Sequence, residues 1–247
     1  MITPTNPLQQ KTGVPAEAPA KKAPAKPAGK DMTGKKRILL VDDHPIVRQG
    51  LAELIDAQKD LGVIGTASNM QTALDLIDKL IPDLVIVDIS LSGNNGIELV
   101  KNIKVRHPKM LILMLSMHDE SLYAVRSLRA GASGYIMKQE ATDKVLTAIR
   151  QVLNGEIYLS EKMEKRMVSQ LVGAGRTERT GNPIEDLTDR ELEVFGLIGQ
   201  GHGTRQIAEK LHLSIKTVES HRAHIKEKLN LKTATELVQH AIQWQES

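Results

Sequence analysis

Between Arg37 and Leu153, short runs of leucine and β-branched residues alternate with stretches whose apolar residues recur every three or four positions. The runs Ile38–Val41, Gly62–Gly65, Leu84–Val87, Leu111–Leu115 and Tyr135–Met137 read as strands. Almost every position in them is apolar, which marks strands buried on both faces in a parallel sheet. The intervening pattern predicts helices at about Pro45–Ala57, Met70–Leu80, Gly96–Arg106, Glu120–Ala130 and Thr142–Leu153. Five strand–helix units in close succession favour a sheet with helices on both faces.

After Leu153 no strand pattern returns. Residues 154–182 read as a linker carrying a helix near Glu161–Val172, because charges are mixed and Gly173, Gly175, Gly181, Asn182 and Pro183 cluster at its end. Thr188–Gly199, Thr204–Leu211, Ile215–Leu229 and Thr233–Trp244 read as helices. The fold class expected is therefore α/β: a flavodoxin-like, doubly wound, five-stranded parallel sheet over 36–153, then an all-α four-helix domain over 183–247. Residues 1–35 mix Pro, Ala, Lys and Gly without periodicity and cannot bury enough apolar surface to offset the entropy of ordering, so a disordered tail is expected. That tail is either a solubilising extension or an electrostatic arm for an anion.

Composition narrows the function classes. The chain has no cysteine, which excludes disulfides, thiolate metal sites and cysteine nucleophiles. Its longest apolar runs, such as Leu111–Leu115, are far too short to span a bilayer, and the N-terminus lacks the apolar core of a secretory signal, so a soluble, cytoplasmic protein is expected. Residues 1–37 hold eight Lys/Arg against two acids, whereas 183–247 hold eight against ten. The basic balance thus comes from the tail and says nothing about whether the folded part binds nucleic acid.

In an open parallel sheet the functional crevice lies at the carboxyl ends of the strands. Asp42 and Asp43 follow the first strand and Asp88 ends the third. Gathered there, three carboxylates need a cation, and hard oxygen ligands suit Mg²⁺. Ser116 ends the fourth strand with a hydroxyl and Lys138 follows the fifth with an ammonium. Together these groups could stabilise a phosphoryl group transferred to a carboxylate, with the central Asp88 as nucleophile. Each feature also has a plainer reading: Asp42-Asp43-His44-Pro45 makes a good helix start, and a lone Asp, Ser or Lys at a strand end is usually structural.

The residues around these positions resemble the receiver domains of two-component response regulators. The resemblance is carried by Ile38-Leu39-Leu40-Val41-Asp42-Asp43-His44-Pro45, Val87-Asp88-Ile89-Ser90-Leu91, Asn95-Gly96 and Ala130-Gly131-Ala132-Ser133-Gly134-Tyr135-Ile136-Met137-Lys138. It implies that Asp88 accepts a phosphoryl group from a sensor histidine kinase. Mg²⁺ would be held by Asp42, Asp43, Asp88 and the Ser90 carbonyl, and Ser116 and Tyr135 would act as switch residues. His44 would line the edge of the site without binding metal. Ser92 departs from the family's usual proline before Gly93 but removes no chemical group.

Thr204–Leu211 and Ile215–Leu229 are separated by helix-turn-helix spacing. Ile207, Ala208, Leu211, Leu213, Val218, Ile225 and Leu229 form a core face, and Ser214 can cap the second helix. Lys216, Thr217, Glu219, Ser220, Arg222, Ala223 and Lys226 face outward, the set from which DNA contacts could be drawn. A small helical interaction module is the plainer alternative reading of the pattern. The segments Leu187-Thr188-Asp189-Arg190-Glu191-Leu192-Glu193-Val194, Thr204 with Gln206-Ile207-Ala208, and Lys216-Thr217-Val218-Glu219-Ser220-His221 resemble the LuxR-type helix-turn-helix. With the receiver in front, the chain is similar to NarL/FixJ-type response regulators. This implies a transcription factor, not an enzyme, that binds double-stranded promoter DNA through Ile215–Leu229 and pairs with a second copy through its last helix.

Rival readings are weaker. Aspartyl-phosphate hydrolases of the haloacid dehalogenase type need Asp-x-Asp after the first strand, where this chain has Asp42-Asp43-His44. An autoinducer-binding regulator needs an aromatic-lined pocket, which one Phe, one Trp and three Tyr do not supply. A phosphorylation-independent DNA-binding regulator with a silent receiver remains the alternative. The expected control is that the unphosphorylated receiver hinders the DNA-binding domain and that phosphorylation frees it to dimerise.

Overall fold

The structure is a computed structural model that describes residues 34–91, 94–117, 120–173 and 183–246. The expected disorder of residues 1–33, the departure at Ser92 and the glycine-rich end of the linker at 174–182 lie outside the described residues.

The first domain runs β1 (Lys36–Val41), α1 (Pro45–Asp56), β2 (Leu61–Ala67), α2 (Met70–Leu80), β3 (Leu84–Asp88), a short hairpin β4 (Ser90–Leu91) and β5 (Asn94–Asn95), α3 (Gly96–Arg106), β6 (Leu111–Ser116), α4 (Glu120–Ala130), β7 (Gly134–Met137) and α5 (Ala141–Leu153). The main sheet has the order β2-β1-β3-β6-β7 and is parallel throughout. Strand alternation sorts its residues into two cores. Leu39, Val41, Val85, Val87, Ile112 and Met114 pack with α2, α3 and α4, whereas Ile38, Leu40, Leu84, Ile86, Leu113 and Leu115 pack with α1 and α5. Both faces are covered, which is why these strands are apolar at nearly every position. The order reverses beside β1, so the ends of β1 and β3 open on the crevice that such sheets use for ligands.

Local chemistry sets the helix starts. The Asn69 side chain accepts from the Thr72 N–H at 2.9 Å and the Asn95 side chain from the Ile97 N–H at 2.8 Å. At α1, Pro45 fills an early position where its missing N–H costs nothing.

Residues 154–173 are more ordered than a linker composition suggests. Tyr158 forms an isolated parallel bridge to Gly134, and α6 covers Glu161–Gly173. After a 3₁₀ turn at Pro183–Asp186 come α7 (Asp189–Gly199), α8 (Thr204–Lys210), α9 (Ile215–Lys228) and α10 (Ala234–Glu246). Thr188 and Glu191 form a capping box on α7: the Glu191 N–H donates to the Thr188 hydroxyl at 3.3 Å and the Thr188 N–H to the Glu191 carboxylate at 2.8 Å. Gly199 lets α7 and α10 cross closely, since a Cβ there would lie 2.5 Å from the Ala241 carbonyl oxygen. Phe195 stacks obliquely on Trp244 with ring centroids 5.4 Å apart. Among the described residues no helix is long and apolar enough to cross a membrane.

Candidate functional site

The ends of β1, β3, β6 and β7 bring the predicted acidic-site residues together. Asp42 and Asp88 are buried, each with 2% of its surface exposed, and Asp43 is partly exposed beside them. Lys138 Nζ lies 2.8 Å from Asp42 Oδ2 and 2.7 Å from Asp88 Oδ2, bridging the two strands. Its backbone N–H donates to the Ser116 carbonyl at 2.7 Å, so the lysine and the hydroxyl residue are fixed to one another. Ser116 and Tyr135 are both fully buried. Ser90 stands in the β4–β5 hairpin, and its backbone N–H hydrogen-bonds to the Asp88 carboxylate.

This packing has an electrostatic consequence. Burial pushes the Asp88 carboxyl up to about 7, the Lys138 ammonium opposes the rise, and the Asp42 charge adds to it. Burial works to lower Lys138, yet Asp88 and Asp42 hold its ammonium above the ordinary lysine value. The site therefore concentrates negative charge that one lysine only partly compensates. Carboxylate oxygens of Asp42, Asp43 and Asp88 and a ring nitrogen of His44 all lie within 4.8 Å of one another. His44 stands at the rim: its Nδ1 is 2.7 Å from Asp43 Oδ1, and its side chain is 63% exposed.

Two features of this region were not legible in the sequence. Arg48, one turn into α1, donates to the Asp42 backbone carbonyl. Gly96 sits against β3 so tightly that a Cβ would fall 2.1 Å from the Asp88 carbonyl oxygen. The pair Asn95-Gly96 is visible as a motif in the sequence, but the close approach is not.

In the C-terminal domain Ile207, Ala208, Leu211, Val218, Ile225 and Leu229 are buried and Leu213 is partly buried. On α9, Lys216, Glu219, Ser220 and Ala223 are exposed and Thr217, Arg222 and Lys226 are half-buried. Ser214 accepts from the Thr217 N–H at 3.0 Å, as expected for a cap. Lys228 reaches Glu191 at 2.6 Å and Arg190 donates to the Leu211 carbonyl at 2.9 Å, so α7 holds both helices of the helix-turn-helix.

The two domains also touch. Asp189, the first residue of α7, is 3.1 Å from Lys101 on α3 and 3.2 Å from Arg126 on α4. The Arg126 guanidinium donates further to the carbonyls of Leu187 at 2.7 Å and Ile184 at 3.2 Å. Glu193 is buried beside Arg190 at 2.7 Å; burial pushes its carboxyl up, against the pull of Arg190 and of the nearby Asn95 amide. Sequence spacing carries no signal for such contacts, because they join elements some sixty to ninety positions apart.

Comparison with known proteins agrees with both halves. Residues 38–150 match the family described as response regulator receiver domain, and residues 185–241 match bacterial regulatory proteins of the luxR family. The oxygen regulatory protein NreC of Staphylococcus epidermidis is 37% identical over 210 residues, covering 83% of this chain and 96% of that protein. The chain belongs to the response-regulator family. Within it, this response regulator joins a receiver to a LuxR-type DNA-binding domain, as the NreC of Staphylococcus carnosus also matches at 38% identity over 83% of the chain and 96% of that protein. Among solved structures, a LuxR-family two-component response regulator from Aurantimonas sp. SI85-9A1 is 34% identical with a TM-score of 0.53, covering 56% of this chain and 99% of that one. RcsB from Salmonella enterica serovar Typhimurium, bound to promoter rprA in the presence of the phosphomimetic BeF3-, is 25% identical with a TM-score of 0.56, covering 84% and 98%. Receiver domains generally bind Mg²⁺ at an acidic site, and Asp42, Asp43 and Asp88 form such a cluster in this response regulator.

Proposed function

We propose that this response regulator is a cytoplasmic transcription factor whose Asp88 accepts a phosphoryl group from a sensor histidine kinase. The observation that carries the reading is the placement of Asp88: a buried carboxylate 2.7 Å from Lys138, beside Asp42 and Asp43 and next to the strand that ends in Ser116. In the transfer, an Asp88 oxygen forms a bond to phosphorus as the bond from phosphorus to the kinase histidine nitrogen breaks, and the electron pair of that bond stays on the imidazole. Lys138 turns from the Asp88 carboxylate to a phosphoryl oxygen, and the Ser116 hydroxyl donates to another. Tyr135 stands on the neighbouring strand two positions before Met137, the register partner of Ser116, and repacks with it.

The acidic donor set fits Mg²⁺, with Asp42, Asp43, Asp88 and the Ser90 carbonyl as the groups that would hold it. When bound, that ion supplies positive charge against the phosphoryl oxygens. At the other end of the chain, Lys216, Thr217, Glu219, Ser220, Arg222, Ala223 and Lys226 form the surface we assign to the major groove of promoter DNA. A homodimer on a repeated half-site is the expected binding form, with α10 as the pairing helix. The family's domain pair, and the promoter complex of RcsB, support this reading.

The test is acetyl phosphate labelling in Mg²⁺ of wild type and Asp88→Asn, read by intact mass. We expect a gain of one phosphoryl group that requires both Asp88 and Mg²⁺. No gain under conditions that label a control receiver would leave a DNA-binding regulator with a silent receiver.

A further inference from the structure

Residues 156–160 join the receiver to α6 in sequence, yet they are built into the sheet. Tyr158 pairs in parallel with Gly134 along the outer edge of β7. The Tyr135 N–H donates to the Tyr158 carbonyl at 2.9 Å, and the Tyr158 N–H donates to the Ser133 carbonyl at 3.2 Å. Glycine at 134 permits this approach: a Cβ there would lie 3.0 Å from both the Tyr158 Cβ and its carbonyl oxygen. Tyr158, Leu159 and, one turn into α6, Met163 are buried by it.

The next residue ties a second element. The Ser160 N–H donates to Glu120 Oε1 at 3.0 Å, and the Ser160 hydroxyl donates to the other oxygen of the same carboxylate. That hydroxyl also accepts from the Met163 N–H at 3.2 Å, which caps the start of α6. Glu120 is the first residue of α4, four positions beyond Ser116. The same helix carries Arg126, which grips Asp189, Leu187 and Ile184 of the DNA-binding domain. One five-residue segment is thus bonded to the backbone of the switch tyrosine, to the first turn after the switch serine, and to the helix that leads onward to the DNA-binding domain.

We propose that residues 156–160 are a latch that is closed in the unphosphorylated protein and opens when Asp88 is phosphorylated. The inference rests on the phosphoacceptor reading above and adds the element that transmits it. When the Ser116 hydroxyl turns toward a phosphoryl group and Tyr135 repacks beside it, the first turn of α4 and the edge of β7 move as well. Ser160 cannot follow both while keeping its paired contacts with Glu120. Its release uncaps α6 and frees the connection to the DNA-binding domain at the same moment that α4 shifts its grip through Arg126.

Hydrogen exchange on the full chain, read by mass spectrometry with and without acetyl phosphate and Mg²⁺, tests this, with intact mass taken from the same samples. In wild type we expect exchange across 156–167 to rise about tenfold on labelling, the scale set by one lost charge-assisted hydrogen bond. Ser160→Ala should show that raised exchange without acetyl phosphate, show no further rise with it, and still take up the phosphoryl group; Glu120→Gln should do the same. A phosphoryl gain with unchanged exchange at 156–167, or wild-type protection there in unlabelled Ser160→Ala, would overturn the latch alone. Absence of a phosphoryl gain in wild type would overturn the phosphoacceptor reading, and the latch with it.

Discussion

Replacing Asp88 with Asn should make the metal-free receiver more stable at pH 8. Burial raises the Asp88 carboxyl from 3.8 to about 7, and each unit of such a shift corresponds to about 1.4 kcal/mol, so its ionisation in the folded state costs on the order of 4 kcal/mol. Asn keeps the shape and removes the charge, while Lys138 keeps Asp42 at 2.8 Å as a partner. The sign follows from proton binding: between pH 4 and 7 the folded state holds the Asp88 proton and the unfolded state does not, so wild-type stability falls as pH rises through that window. The advantage of Asn should therefore shrink from about 4 kcal/mol at pH 8 to about 2 kcal/mol at pH 5. Urea unfolding in EDTA measures it, and the chain offers a built-in separation of signals. All three tyrosines, Tyr123, Tyr135 and Tyr158, lie in or against the receiver, whereas the single tryptophan, Trp244, lies on α10. Tyrosine emission then follows the receiver and tryptophan emission the DNA-binding domain. Equal stabilities at pH 8, or a difference that does not shrink toward pH 5, would refute the argument that burial dominates the charge of this site.

If Asp88 helps hold Mg²⁺ as proposed, binding of that ion competes with a proton. Its affinity, measured by titration calorimetry, should weaken about tenfold between pH 8 and pH 6, since a group titrating near 7 must be deprotonated to ligate. Arg126→Ala leaves Asp189 to Lys101 alone and removes the guanidinium donor to the Ile184 and Leu187 carbonyls, a loss of roughly 1–3 kcal/mol. Small-angle scattering should show a larger radius of gyration than wild type; an unchanged profile would mean that this contact does not hold the domains together. Gly199→Ala places a methyl group 2.5 Å from the Ala241 carbonyl, between two backbones that cannot give way cheaply. It should destabilise the DNA-binding domain by about 1–3 kcal/mol, lowering the urea midpoint seen by Trp244 and leaving the tyrosine transition in place.

How much was legible in advance divides along physical lines. The parallel sheet could be read because β1, β3, β6 and β7 are apolar at nearly every position, and α2, α3 and α4 begin and end where periodicity placed them. The acidic site could be read because strand ends are fixed points: a residue just past β1 or β3 has few places to go, so Asp42, Asp43 and Asp88 had to meet. What depends on two distant surfaces left no trace. The β4–β5 hairpin is two residues long on each side, below the length at which alternation is visible. Residues 156–160 read as linker because their composition is mixed, yet Tyr158 joins the sheet edge through backbone groups that every residue possesses. Asp189 entered the reading only as part of the Leu187–Val194 segment of the LuxR-type resemblance; its role toward Lys101 and Arg126 needed the folded receiver to appear.

The docked arrangement also bears on how a receiver can restrain its DNA-binding domain. If restraint worked by covering the recognition surface, the outward residues of α9 would be buried against the receiver. None of the seven is fully buried: Lys216, Glu219, Ser220 and Ala223 are exposed and Thr217, Arg222 and Lys226 half-buried, while Asp189 is gripped by α3 and α4. The grip is instead on the start of α7, and α7 is bonded to α9 through Glu191 and Lys228 and to the end of α8 through Arg190. Fixing α7 therefore fixes the direction in which α9 points relative to the receiver. A dimer reading two half-sites must place two such helices about one turn of DNA apart, roughly 34 Å, with matching orientation. A protomer whose α9 is exposed but wrongly aimed can touch DNA and still fail to pair on a repeated site. The contact at Asp189 would then cost the unphosphorylated protein its cooperativity more than its intrinsic affinity. Arg126→Ala should accordingly restore pairing on two half-sites while changing binding to a single half-site little.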